Sequence, residues 1–95
     1  MNLRFTAKAA AELEELIGYV GERSAVGARR LMARIKSTAE LLQQFPHAGR
    51  QTSKRGMRRI VARPYPYLIF YRLDADGIVV HGVRHGARRP SSMPR

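Results

Sequence analysis

The stretch from Met57 to Arg89 reads MRRIVARPYPYLIFYRLDADGIVVHGVRHGARR, and it decides the fold. It contains runs rich in β-branched and aromatic residues, which are typical of strands, at 57–63, 67–73 and 78–84. Asp-Ala-Asp-Gly at 74–77 is a hairpin signal between the last two runs. Pro64 and Pro66 separate the first two, because proline cannot donate to a sheet. The stretch therefore predicts three consecutive antiparallel strands.

Two helices are predicted upstream of these strands. Apolar residues recur at helical spacing through 7–23, with Thr6 as the N-cap and Gly21 as a stop signal. The same spacing continues through 25–44, after Ser24 as a second N-cap. Because the connection is so short, the two segments are expected to form an antiparallel helical hairpin.

The remaining segments complete an α+β domain. Residues 2–5 alternate apolar and polar and predict a short edge strand, whereas 47–56 is polar and turn-rich and predicts a loop. The expected order is β-α-α-β-β-β, with the helical hairpin packed on a small antiparallel sheet. We assign one domain to residues 1–90 and a C-terminal tail to 91–95.

Positive charge is concentrated in the second half of the chain. The 18 Lys and Arg residues exceed the 7 Asp and Glu residues by 11. Residues 1–45 carry a net charge of +2, and residues 46–95 carry +9. A preference for Arg codons or a need for solubility explains the abundance of arginine but not this asymmetry. The asymmetry indicates an anionic partner, either nucleic acid or an acidic protein.

Several classes of function are disfavoured by what the sequence lacks. Without cysteine there can be no disulfide and no thiolate metal site. His81 and His85 fall on a strand, where their spacing does not suit a metal site, so no metal or cofactor is expected. No apolar run approaches a membrane span, and the opening residues do not resemble a signal peptide, so we expect a cytoplasmic protein without a membrane partner.

Candidate functional residues lie on the predicted sheet. A basic surface could form from Arg58, Arg59, Arg63, Arg72, Arg84, Arg88 and Arg89. Metal-free RNA cleavage needs such cations together with an acid–base pair, for which His85 and Tyr71 are the candidates. Strict alternation places His81 and His85 on one face of the last strand with Val79 and Val83. His81 is more simply explained as a packing or solvent-facing residue, and the sequence does not say which face is open.

Four segments together resemble the RelE/ParE superfamily of bacterial type II toxins, and most of all its ParE branch. AAAELEELIGYV resembles the first helix of that superfamily, and RRLMARIKSTAELLQQFPHAGR resembles the second helix and its Leu-x-x-x-Pro-x-x-Gly-Arg exit. GMRRIVARPYPYLIFYRLD resembles the core of the sheet, and IVVHGVRHGARRP resembles the last strand with its His-Gly-Ala-Arg ending. Each motif alone is loose, but their order across 3–90 is fairly specific.

The resemblance implies a toxin that a cognate antitoxin neutralises within a hetero-oligomer. The acidic, disordered tail of such an antitoxin folds along the toxin, which suits a strongly basic chain. The resemblance also implies one of two targets. RelE-like members cut mRNA on the ribosome, whereas ParE-like members trap DNA gyrase on cleaved DNA and cut nothing themselves.

Two departures from the RelE-like pattern favour the gyrase target. Leu68 stands where that pattern has a phosphate-binding Arg, and no Tyr follows Tyr71 to serve as the acid–base group of the tail. His85, with Arg63, Arg84 and Arg88, keeps the nuclease alternative open. A third alternative is a non-toxic module that binds nucleic acid through charge alone. The residues expected to bind the target or the antitoxin are Arg58, Arg59, Arg63, Tyr71, Arg72, Arg84, His85 and Arg88.

Overall fold

A computed structural model describes residues 1–86 of the chain. Arg88 and the predicted tail at 91–95 therefore lie outside the described residues. Two helices, α1 and α2, and five strands, β1 to β5, follow one another along the chain. In order, they are β1 (Asn2–Phe5), α1 (Ala7–Arg23), α2 (Ala25–Gln44), β2 (Arg50–Gln51), β3 (Arg58–Val61), β4 (Tyr67–Asp74) and β5 (Gly77–His85).

The helical hairpin is confirmed, and its turn is tighter than the sequence indicated. Thr6 caps α1 by accepting a hydrogen bond from the Ala9 N–H at 3.1 Å. Helix α1 continues past Gly21, and Ser24 alone separates it from α2. The Ser24 N–H donates to the Val20 carbonyl at 2.8 Å, and its hydroxyl accepts from the Gly27 N–H at 2.9 Å. One residue thus ends one helix and begins the next.

In the described part of the chain, no helix is long and apolar enough to cross a membrane.

The sheet has the order β1-β5-β4-β3-β2, and one of its pairings was not expected. Strands β2 to β5 pair antiparallel with their neighbours, whereas β1 pairs parallel with β5. The sheet is therefore mixed, not antiparallel throughout. Alternation in a four-residue strand indicates which side chains share a face but says nothing about the direction of pairing. Strand β2 is also an addition, since its two residues lie in the predicted loop.

A β-bulge changes which side chains of β5 share a face. Tyr71 pairs with Val80 and Phe70 pairs with Gly82, so His81 is the extra residue on β5. As a result Val80 and Val83 both lie in the core beneath the helices. The prediction that Val79 and Val83 share a face is therefore wrong. Strict alternation fails at this point because one inserted residue moves every following side chain of the strand to the opposite face.

The helices cover one face of the sheet and define the opposite, open face. The core between helices and sheet includes Leu31 and Ile35 from α2 and Ile69 and Tyr71 from β4. A separate small cluster of buried side chains comprises Met57, Leu68 and Phe70. Leu68 and Phe70 alternate with Ile69 and Tyr71 along β4, so this second cluster belongs to the open face.

Candidate functional site

Arg58 and Arg59, two of the predicted binding residues, point to opposite faces of the sheet. Arg59 pairs with Phe70 and is exposed on the open face. Arg58 pairs with Tyr71 on the helix side. Its guanidinium donates to the Gly49 carbonyl at 2.8 Å and to the His47 carbonyl at 3.4 Å. Arg58 therefore holds the loop after α2 and does not belong to the open face.

Tyr71 is buried, so the prediction that it belongs to a binding surface or serves as an acid–base group is wrong. Its hydroxyl donates to the Pro46 carbonyl at 2.8 Å and accepts from the Gly49 N–H at 2.9 Å. Burial raises the pKa of this hydroxyl, against smaller opposing effects of the Gly49 N–H and the Arg58 guanidinium. The sequence could not distinguish these positions, because an aromatic residue in a strand has the same local sequence pattern whether it lies in the core or at its rim.

Arg84 is paired with a carboxylate that the sequence analysis did not single out. Its Nε lies 2.8 Å from Glu12 Oε2, although this N–H is not aligned for a hydrogen bond. The other oxygen of Glu12 accepts from the Val83 N–H at 3.3 Å. Both side chains are largely buried, with exposed fractions of 10% for Arg84 and 19% for Glu12. The available signal was the position of Glu12 at helical spacing between Ala9 and Leu16.

His85 lies beside Arg84 at the end of β5. It is exposed, and its ring meets Tyr67 edge-on with centroids 5.6 Å apart and planes at 85°. Both rings border a shallow cavity of about 290 Å³ that Glu12 and Arg84 also line. At this edge of β5, His85 as a candidate acid–base group lies beside the cation Arg84, which is the combination that the nuclease prediction requires.

A wide groove runs along the edge of the sheet between α2 and β3. Its volume is about 870 Å³, and exposed arginines from four segments line it: Arg34, Arg50, Arg59 and Arg63. Apolar side chains contribute as well, since Leu41 is 43% exposed and Val61 is 38% exposed. The sequence predicted Arg59 and Arg63 but missed Arg34 and Arg50, because helix and loop residues gave no sign of meeting the sheet.

Arg72 lies on the open face, as its alternation with Tyr71 requires. Its guanidinium donates to the Arg55 carbonyl at 2.8 Å and so holds the loop before β3 against the sheet. Gly56 in this loop has a φ of +79°, and a Cβ there would lie 2.7 Å from the Arg72 guanidinium.

Within residues 1–86, no three His, Asp or Glu side chains gather into a group that could hold a metal ion.

The fold is a helical hairpin on one face of a five-stranded mixed sheet, and arginines gather in the edge groove and on the open face. These features define a small basic α+β binding protein. The family of ParE toxins of type II toxin–antitoxin systems, parDE, matches residues 3–90. The chain belongs to this family, and the predicted membership of the RelE/ParE superfamily is confirmed. Membership implies an antitoxin partner.

Individual relatives agree with this assignment. Toxin RelE2 of Caulobacter vibrioides is 36% identical over 85 residues, which cover 88% of this chain and 93% of that protein. Y4kP of Sinorhizobium fredii is 31% identical over 75 residues, covering 79% and 78% respectively. A chain in the solved structure of the chromosomal ParDE TA system from P. aeruginosa superposes with a TM-score of 0.79. At 24% identity, over 90% of this chain and 95% of that one, it supports the fold.

Proposed function

We propose that this chain is a ParE-like toxin that acts in the cytoplasm by inhibiting DNA gyrase and is neutralised by an antitoxin with an acidic tail. The observation that carries the choice of gyrase over RNA is the Arg84–Glu12 pair. A nuclease would need Arg84 to stabilise the charge that develops on the scissile phosphate. Here a carboxylate 2.8 Å away already compensates the guanidinium and would repel a phosphate.

Two further positions support a toxin that inhibits by binding. Leu68, which replaces the phosphate-binding arginine of the RelE-like pattern, is 9% exposed and packs with Met57 and Phe70. The Tyr71 hydroxyl donates one hydrogen bond and accepts another, both with the loop after α2. Leu68 offers no group that would stabilise charge on a bound RNA, and Tyr71 would have to break these hydrogen bonds to transfer a proton.

The edge groove between α2 and β3 is the proposed site for the antitoxin tail. Four exposed arginines attract an acidic segment, and Leu41 and Val61 offer apolar contacts to its hydrophobic side chains. An acidic segment that is disordered alone would gain both kinds of contact on folding into the groove. The antitoxin itself is expected to be encoded by a short reading frame next to this one.

The purified toxin is expected to inhibit supercoiling by purified gyrase and to accumulate cleaved DNA. The measurement is plasmid supercoiling followed by gel electrophoresis, with a heat-denatured sample of the same protein as the control. Normal supercoiling at saturating toxin, combined with growth arrest on expression, would refute the gyrase proposal.

A RelE-like ribonuclease is the second candidate, because His85 stacks edge-on against Tyr67 beside Arg84. In that case expression would produce mRNA cleavage at ribosomes, and His85→Ala would abolish it. A His85→Ala variant that stays fully toxic contradicts the nuclease and leaves the gyrase proposal intact. Absence of any growth defect, with salt-sensitive nucleic-acid binding, would instead favour the non-toxic module.

Arg59→Gln is expected to weaken antitoxin binding by about 10- to 150-fold, because a lost charge-assisted hydrogen bond costs about 1.5–3 kcal/mol. Isothermal titration calorimetry with the product of the adjacent reading frame measures the effect. Arg29→Gln is the matched control, since Arg29 is also an exposed arginine, lies on α2 and does not line the groove. Equal affinities for the two variants would remove the groove as the docking site.

A further inference from the structure

We propose that the open face of the sheet carries a binding site for a phosphate-type oxyanion, formed by Arg4, Arg72 and His81. The site is separate from the edge groove and from the Arg84–His85 cluster. It does not depend on the gyrase proposal, because its argument uses only the register of three strands and the charges they bring together.

Strand register places two arginines on either side of one small side chain. Val79 pairs with Arg4 of β1 on one side and with Arg72 of β4 on the other. Val79 alternates with the core residues Ile78 and Val80, so this row belongs to the open face. Neighbouring strands are about 4.8 Å apart, which puts the two arginine backbones about 10 Å from each other. Both guanidinium groups can therefore reach an anion that lies over Val79.

His81 joins this row because of the β-bulge. It is the extra residue of β5, two positions along from Val79, and it is half-buried. Burial is the main cause that lowers its pKa, and the charges of Arg72, Arg4 and Lys54 lower it further. These three cations come from β4, β1 and the loop before β3.

One carboxylate beside this row, that of Asp74, forms an ion pair with Arg4 at 3.8 Å, and the side chains of Arg4 and Asp74 are 68% and 43% exposed. Such an exposed and loosely spaced pair is screened by solvent and contributes little. Asp74 is also committed to the hairpin turn, where its Oδ1 accepts from the Asp76 and Gly77 N–H groups at 2.9 and 3.0 Å.

Arg72 is held in place by the loop before β3. Arg72 donates to the Arg55 carbonyl at 2.8 Å, which leaves other guanidinium donors for a ligand. The Lys54 N–H donates to the Thr52 hydroxyl at 3.1 Å, and the Lys54 carbonyl accepts from the Met57 N–H at 3.0 Å. The backbone of the loop that holds Arg72 is thereby itself fixed, which lowers the entropy lost when Arg72 binds a ligand.

The arrangement suits a phosphate group better than a carboxylate. Cations that approach from three different elements need an acceptor whose oxygens point in several directions. A tetrahedral oxyanion provides this, whereas the two oxygens of a carboxylate lie in one plane. A bound anion would also favour the imidazolium form of His81. Binding and protonation are therefore linked, and the affinity should rise as the pH falls through the titration range of His81.

The test is an NMR titration of the histidine ring protons in sulfate and in chloride at equal ionic strength. Sulfate is chosen because it does not itself titrate in this pH range. The chain has only three histidines, so His81→Gln assigns the signal. We expect sulfate to raise the pKa of His81, which the neighbouring cations lower in its absence. A His81 titration that is the same in both salts would overturn the proposal.

Arg4→Gln tests the geometry without threatening the fold, because Arg4 is an exposed residue of the edge strand. It should weaken sulfate binding by about tenfold, whereas Arg29→Gln on the helical side should have no effect. Undiminished sulfate binding by Arg4→Gln would count against the site. A mononucleotide and a short single-stranded oligonucleotide identify the source of the phosphate. Competition by the oligonucleotide alone indicates a nucleic-acid backbone, and competition by both indicates a site for small phosphates.

Discussion

Gly77→Ala should lower the free energy of unfolding by about 3 kcal/mol, because strained backbone at a non-glycine residue costs up to about that much before any steric overlap is counted. Gly77 begins β5 with a φ of +141°, a conformation that residues with a Cβ rarely adopt. A Cβ at this position would also overlap the backbone carbonyl of Asn2 in the adjacent β1. Backbone cannot move aside as a flexible side chain can.

Thermal and urea denaturation measure the loss. For a domain of this size, 3 kcal/mol corresponds to a melting temperature about 15 °C lower. Gly18→Ala is the matched control, because a Cβ there meets no atom within 4 Å. Gly18 lies inside α1, where alanine should stabilise by about 0.5–1 kcal/mol. Equal stabilities for the two variants would mean that β1 does not pair as closely with β5 as described.

The same substitution should loosen β1, and this gives a local readout. The Thr6 N–H donates to the Val80 carbonyl at 3.0 Å at the end of the β1–β5 pairing. Its hydrogen exchange should accelerate in Gly77→Ala more than that of amides in the β3–β4 pairing. Arg4 would leave the oxyanion site together with β1, so sulfate should then shift the pKa of His81 less.

Local signals in the sequence predicted the elements well but not all of their pairings. Capping residues and apolar spacing gave the helices, and the Asp-Gly turn gave the β4–β5 hairpin, because each depends on neighbours in sequence. The parallel β1–β5 pairing and the bulge at His81 depend on contacts between distant segments. No local pattern encodes them, and together they decide that Arg4 and His81 meet on the open face.

The sequence predicted which types of residue form the candidate site better than it predicted how they are arranged. Arginine density correctly indicated that the sheet carries positive charge. The sequence could not show that Glu12, 72 positions away, compensates Arg84, or that Tyr71 turns into the core. Both facts arise from the packing of α1 and of the loop after α2 on the sheet. They change the interpretation of the site from proton transfer towards binding.

Gly49→Ala should destabilise the protein by about 3 kcal/mol, because a Cβ there has no room and cannot be accommodated without breaking buried hydrogen bonds. The added carbon would lie 2.6 Å from the Tyr71 hydroxyl and 2.7 Å from the Arg59 carbonyl. Displacing Tyr71 would break its bonds to the Gly49 N–H and to the Pro46 carbonyl. Chemical denaturation, with Gly18→Ala again as the control, gives the size of the effect.

Tyr71→Phe separates the two causes of this loss. Removing the hydroxyl alone leaves the Gly49 N–H without its partner and should cost about 1–3 kcal/mol. In the double variant the missing hydroxyl relieves part of the overlap, so the two losses should fall short of additivity by about 1 kcal/mol. Strict additivity would show that the loss comes from overlap with the Arg59 carbonyl and the Tyr71 ring, both of which remain when the hydroxyl is removed. In either case the loop carries Ala48 and Arg50 into the wall of the edge groove. The Leu-x-x-x-Pro-x-x-Gly-Arg motif therefore acts by fixing that wall against Tyr71, and Gly49→Ala should weaken antitoxin binding without removing any arginine.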